Sequence, residues 1–265
     1  MDLAVESLRA ARTRADLRLA PGERLLAGGT WLFSEPQPGV TGLVDLTTLG
    51  WEPLERTADG LRVAATCTVE QLAAHVPDPA WAAWPLVGAC ADALLMSFKV
   101  QGQATVGGNV AMALPAGAMT ALLVALDAVA VVWMPDGGER RSAVTDLVIG
   151  PGCTTLAPGE VLRAFDVPGY ALRARAAVRQ VSLTAVGRSA SLVVARRDAD
   201  GGVTLTVTAA TPRPARFRFP SVPTSSQVSR VLEGITWYDD VHGAPDWRRA
   251  VTTLLAHEVV EEVTA

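Results

Sequence analysis

Cysteine, lysine and aromatic side chains are scarce in this chain of 265 residues. Cys67, Cys90 and Cys153 lie far apart and form no C-x-x-C pair, which argues against a disulfide framework, a zinc site or an iron–sulfur cluster. All three read as small buried hydrophobes. Lys99 is the one lysine, the arginines are scattered, and the net charge is −4, so nothing here draws nucleic acid. His75, His242 and His257 have no metal-ligand spacing and read as surface or helix residues. Long apolar runs are missing too: the richest stretch, residues 121–134, is interrupted by Asp127 and too short to span a bilayer. The first residues carry Asp2, Glu6 and Arg9 rather than the apolar core of a secretory signal, so a cytoplasmic location is expected.

Glycine is where the chain is distinctive. Two diglycine segments stand some eighty residues apart, Ala27-Gly28-Gly29-Thr30 and Thr105-Val106-Gly107-Gly108-Asn109. Each reads as a turn between an extended stretch and an apolar one. A glycine pair there allows positive φ and lets an anion approach the backbone without a Cβ in the way. Successive N–H groups in that geometry form a concave nest for phosphate oxygens. One nest holds one phosphate, and two clamp a diphosphate from opposite sides, which points to a dinucleotide. The plainer reading is two tight turns, with Asn109 tolerating a left-handed backbone.

With 49% hydrophobic residues, the chain suits one large domain or two modest ones. Residues 2–12 read as a short amphipathic helix, and 24–27 and 42–46 as buried strands. A hairpin is expected over 54–65 about Ala58-Asp59-Gly60. Thr68 and Gln71 have capping-box spacing for a helix reaching about His75. Further helices are expected over 80–96, bent at Pro85, and over 115–126. A second hairpin turns at Asp136-Gly137-Gly138, and a strand over 161–167 closes at Pro168-Gly169, where a domain boundary is placed. Beyond it, 192–197 and 203–210 form a hairpin, and 211–223 reads as a surface loop. Helices follow over 224–232 and 246–262, the latter with Leu254, Leu255, Val259 and Val260 on one side. The whole is α+β.

These residues allow a family resemblance to be named. Leu25-Leu26-Ala27-Gly28-Gly29-Thr30, Gly42-Leu43-Val44-Asp45-Leu46 and Asp59-Gly60-Leu61-Arg62-Val63-Ala64-Ala65 resemble the FAD-binding medium subunit of molybdenum hydroxylases. That family includes the carbon monoxide dehydrogenase medium subunit and the xanthine dehydrogenase flavin domain. Ala104 to Ala111, Pro115-Ala116-Gly117, Leu126-Asp127-Ala128 and Leu156 to Leu162 continue the match in order. Thr211 to Arg216, Asp239-Asp240-Val241-His242-Gly243 and Trp247-Arg248-Arg249 resemble its C-terminal domain.

The resemblance implies a two-subdomain FAD-binding fold of the vanillyl-alcohol-oxidase (PCMH) type over residues 1–168, with subdomains of about 1–52 and 53–168. A small α+β domain would follow over 169–265. It implies FAD held by Leu26, Ala27, Gly28, Gly29, Thr30, Trp31 and Leu32 on one side, and by Thr105, Val106, Gly107, Gly108 and Asn109 on the other. Leu156 would meet the flavin ring region, and Arg179 would be a basic residue near the flavin. No catalytic side chain or metal is implied in this chain, since the cofactor carries the chemistry. The implied partners are a large molybdenum-cofactor subunit and a small subunit with two [2Fe–2S] clusters, as a possible dimer of heterotrimers. Electrons would pass through FAD to NAD⁺, a quinone or dioxygen.

Departures from the family pattern set an alternative beside this one. Trp31 follows the first turn where a small polar residue is usual, Gln101-Gly102 replaces Arg-Asn, and Leu114 replaces Ser. Ala118 stands where a carboxylate normally accepts hydrogen bonds from the cofactor, a contact worth about 1.5–3 kcal/mol. The alternative is a degenerate flavin domain serving as a scaffold, with weak or no FAD. A self-contained flavin oxidase is a third reading, disfavoured by the lack of a His or Tyr cluster.

Overall fold

The computed structural model describes residues 5–265. Its first layer is a small parallel sheet of β1 (Ser7–Ala10), β2 (Glu23–Leu26) and β3 (Gly42–Asp45), in the order β1-β3-β2. The helix expected over residues 2–12 is therefore not formed where it is described; its first three residues lie outside the described part. Residues 7–10 instead pair one for one with 42–45. Arg9 forms an ion pair with Glu23 on the far strand at 2.7 Å, so tertiary pairing overrides a weak local helical pattern.

A five-stranded antiparallel sheet follows. It holds β4 (Leu54–Thr57), β5 (Gly60–Ala64), β6 (Val129–Trp133), β7 (Glu139–Ala143) and, after a short hairpin of β8 (Val148–Gly150) and β9 (Cys153–Thr154), β10 (Val161–Pro168). The order is β4-β5-β10-β6-β7. Between β5 and β6 the chain builds helices α1 (Val69–Ala74), α2 (Pro85–Ala93), α3 (Phe98–Gln101), α4 (Val106–Ala111) and α5 (Ala118–Ala125). α1 has the expected Thr68–Gln71 capping box. α2 starts at Pro85 rather than Ala80, because proline suits the first helical position, where no N–H partner is needed. Every residue of α5 is buried. A helix apolar all round needs neighbours on all sides, and α5 has α2 and α4 on one side and the C-terminal sheet on the other.

After α6 (Val144–Leu147), which leads into β8, and α7 (Gly169–Arg173) comes that last sheet, antiparallel and sequential. Its strands are β11 (Arg175–Val181), β12 (Ser191–Arg197), β13 (Val203–Thr208) and β14 (Ala215–Phe219). β14 corrects the loop expected over 211–223: Ala-Arg-Phe-Arg-Phe alternates with the period of a strand. Helices α8 (Ser225–Glu233) and α9 (Pro245–Thr264) cover one face. Val259, Val260 and Val263 pack inward with Ala256, whereas Leu254 is exposed, contrary to the expected stripe. No described helix is long and apolar enough to cross a membrane.

The last sheet is pinned to α5 by Asp127. This residue sits at φ +53°, and its carboxylate meets Arg196 at 2.5 Å, Arg216 and Arg218 at 2.6 Å, and the Tyr170 hydroxyl at 2.9 Å. Burial alone would raise the pKa of Asp127; the fully buried Arg196 and the Tyr170 hydroxyl outweigh it and hold the carboxyl below the usual carboxylate range.

Candidate functional site

The first diglycine follows directly from the end of β2. Gly29 takes φ +69°, a region favourable to glycine. A Cβ on Gly28 would overlap the Gln103 carbonyl oxygen and stand 2.7 Å from its carbon, so this turn lies against the segment that leads into the second diglycine. From Gly28 to Leu32, five consecutive backbone N–H groups have no acceptor among the described residues. Unspent amides in series are what an anionic ligand needs.

The second diglycine differs from its expectation. It is not a loop but the first turn of α4, and its amides are used within the protein. Val106 N–H donates to the Cys67 carbonyl (2.8 Å) and Gly107 N–H to that of Ala65 (2.9 Å). Gly108 N–H donates to Thr105 Oγ1 (3.1 Å) and Asn109 N–H to the Thr105 carbonyl (3.0 Å). The orphan donors of a helix start are thus satisfied by the loop that follows β5, through Ala65 and Cys67, and by the Thr105 cap. Gly107 is needed for closeness, since a Cβ there would meet the Ala65 Cβ at 2.5 Å. Asn109 Oδ1 accepts from Met119 N–H at 3.0 Å, tying α4 to the start of α5. Its Nδ2 has no acceptor among the described residues.

Between these segments lies a cleft of about 730 Å³, within the range of cofactor sites. Leu26, Ala27, Gly28, Gly29, Thr30, Trp31 and Leu32 form one wall; Thr105, Gly107, Gly108 and Asn109 form another, and Leu156 is also part of the lining. Two expected residues lie off it. Val106 is fully buried in the core beneath α4. Arg179 is on β11, paired with Glu262 at 2.6 Å and Glu258 at 3.4 Å on the face carrying α9. The departures fall variously: Trp31 and Leu114 are in the lining, while Ala118 is buried at the head of α5. Gln101 turns back to the Met96 carbonyl at 3.2 Å, and Gly102 ends α3.

Sequence reasoning missed part of the wall. Arg24, Glu160, Arg188, Tyr238, Asp240 and His242 also line the cleft. The motif Asp239-Asp240-Val241-His242-Gly243 was the available signal, yet nothing local says that it reaches a site built two hundred residues earlier. The charges on these walls are arranged asymmetrically. Glu160 is held by Arg140 through two contacts of 2.6 and 2.7 Å, and the Arg140 hydrogen bond, against burial, keeps its carboxyl below the usual range. Asp240 is held by the fully buried Arg248 at 2.5 Å. Arg24 and Arg188 have no carboxylate partner among the described residues. Both acids are neutralised and both arginines are not, so a chain of net charge −4 presents a cation-biased cleft.

Elsewhere the chemistry is quiet. Burial pushes the thiols of Cys67 and Cys90 up to about 12. Cys153 is exposed, contrary to expectation, because it sits in the β8–β9 hairpin. His75 lies beside Trp81 and Trp84, with ring centroids 6.5 and 5.4 Å away.

Free amides in series, unpaired arginines and apolar walls fit an anionic dinucleotide with a flat ring system. The family model for the FAD binding domain in molybdopterin dehydrogenase matches residues 4–170. The chain belongs to that family. As a member it is a FAD-binding oxidoreductase component. Over its full length it is similar to a chain of quinoline 2-oxidoreductase from Pseudomonas putida 86, with a TM-score of 0.81, 22% identity and 100% of both chains covered. It is equally similar to a chain of the carbon monoxide dehydrogenase from Hydrogenophaga pseudoflava that lacks the Mo-pyranopterin moiety, with a TM-score of 0.84 and 19% identity, covering 100% of this chain and 99% of that one. For a chain of the reconstituted enzyme from Oligotropha carboxidovorans, the TM-score is 0.81 at 19% identity, covering 99% and 98%. At such identities the likeness establishes the fold, including the part beyond the family match. No curated protein matches the chain by sequence.

Proposed function

We propose that this chain is the electron-transfer flavoprotein subunit of a heterotrimeric molybdenum hydroxylase. The observation that carries the reading is the run of five amides from Gly28 to Leu32 that have no acceptor among the described residues, in a segment that lines the same cleft as α4. Those amides hold the FAD diphosphate, with Thr105 and the Asn109 carboxamide completing the polar set on the opposite wall. Trp31 and Leu156 supply flat apolar area against the cofactor's rings. Arg24 and Arg188 supply positive charge without having to break an ion pair first. When bound, the flavin accepts electrons from [2Fe–2S] clusters of a small partner subunit and passes them to a final acceptor, while substrate is hydroxylated on a large molybdenum subunit. This chain's own work is to bind and orient the cofactor. Residues 1–168 form the FAD-binding domain and 169–265 the C-terminal domain, which contributes one wall of the cleft.

The visible absorption spectrum of the purified chain, with identification of the released nucleotide, tests the cofactor assignment. Co-purification with iron–sulfur and molybdenum-containing chains tests the assembly. A chain that takes up no FAD on reconstitution, while still binding those partners, would be a scaffold.

A further inference from the structure

We infer that Arg248 is a counter-charge built behind the cleft wall, and that masking Asp240 is what lets the C-terminal domain face an anionic cofactor. The inference rests on the FAD reading and deepens it. Asp240 lies on the lining of the cleft with its side chain partly exposed. An unmasked carboxylate there repels a diphosphate bound in the same cavity. Arg248 approaches from α9, is fully buried, and donates to Asp240 Oδ1 at 2.5 Å. Its second terminal nitrogen donates to the Ala209 carbonyl at 2.9 Å. Ala209 sits at φ +64° and donates its own N–H to the Pro115 carbonyl at 2.8 Å, on the segment that follows α4. One guanidinium therefore does two things: it neutralises the acid, and it ties the loop that carries the acid to Ala209, whose own N–H is bonded to the segment after α4. Burying an arginine whose Nε has no partner among the described residues is costly, so the charge is there for a reason other than packing.

The Asp240 contacts allow charge to be separated from shape. Both Arg248 and the His242 N–H use Oδ1 of Asp240, at 2.5 and 2.8 Å, so Asp240→Asn keeps an acceptor for each and removes only the charge. Val241, exposed and also on the cleft, accepts a new charge without disturbing the core.

The test is FAD titration of the full-length chain by flavin fluorescence at low and high salt, with thermal unfolding measured alongside. Arg248→Gln is expected to weaken FAD about tenfold or more at low salt, and the double variant with Asp240→Asn to recover most of that loss. Asp240→Asn alone keeps wild-type affinity or better. Val241→Glu weakens FAD roughly fivefold and Val241→Lys tightens it, the difference closing at high salt while unfolding temperatures stay equal. Should Arg248→Gln not fold, the Val241 pair decides. A double variant no better than Arg248→Gln, or Val241 variants that bind alike, overturns the inference and leaves the FAD reading standing. A wild-type chain that binds no FAD overturns both.

Discussion

In the turn after β2, Gly29 adopts a left-handed backbone and five successive amides are unspent; in the segment after Ala104, both glycines are helical and every amide from Val106 to Asn109 has an acceptor. The same dipeptide, met twice, does two different jobs. The first supplies hydrogen-bond donors. The second makes a thin, rigid wall, with Gly107 pressed on Ala65 so that α4 lies close to the sheet. A diphosphate clamp of two matched nests is thus replaced by one donor turn seated against a braced helix. What stiffens the brace is α5, reached from α4 through Asn109 and locked behind by Asp127.

If the second segment is a wall, it should respond to what stands behind it. Asp127→Asn leaves the buried Arg196 with a poorer partner and is expected to cost about 3 kcal/mol, read by denaturant unfolding. The same junction should weaken in acid. Because the fold holds the pKa of Asp127 below the usual carboxylate range, its contribution is complete above the unfolded value near 4 and is lost as pH falls through the lower folded value. Unfolding followed from pH 6 to pH 2 should show that loss, and it should be smaller in Asp127→Asn.

Gly28→Ala should cost about 1–3 kcal/mol, because the obstacle is backbone at Gln103, and it should abolish FAD retention by parting the two walls. Gly108→Ala meets only Thr105 Oγ1 at 2.8 Å and should be mild in both assays. Equal losses in the two variants would break the distinction. Asn109→Ala removes the acceptor for Met119 N–H and should cost about 1 kcal/mol. Asn109→Asp keeps that acceptor and should preserve stability while weakening FAD by adding a negative charge to the wall. Arg179→Ala should change stability by less than about 1 kcal/mol, since its acidic partners are half exposed, and should leave FAD titration unchanged.

Features with local causes were legible in the sequence. The Thr68–Gln71 capping box and the hairpins turning at Asp59-Gly60 and Asp136 to Gly138 are all written in neighbouring residues. So was the first wall, whose chemistry needs little beyond Gly28 and Gly29. Features made by partners distant in sequence were not. β1 is a strand because residues 42–45 lie beside it, and Val106 and Gly107 lose their amides to carbonyls some forty residues earlier. Arg179 is drawn to α9, while Arg188, a short loop away, is on the lining. The Asp240–Arg248 pair was visible as motif residues, but its relation to the cleft depends on the packing of the C-terminal sheet on α5.

Backbone amide hydrogen exchange, resolved by residue and taken with and without FAD, tests the division of labour most directly. Gly28 to Leu32 should exchange freely in the empty chain and become protected on adding FAD, while Val106 to Asn109 should be protected in both. Protection gained at 106–109 with none gained at 28–32 would contradict the account.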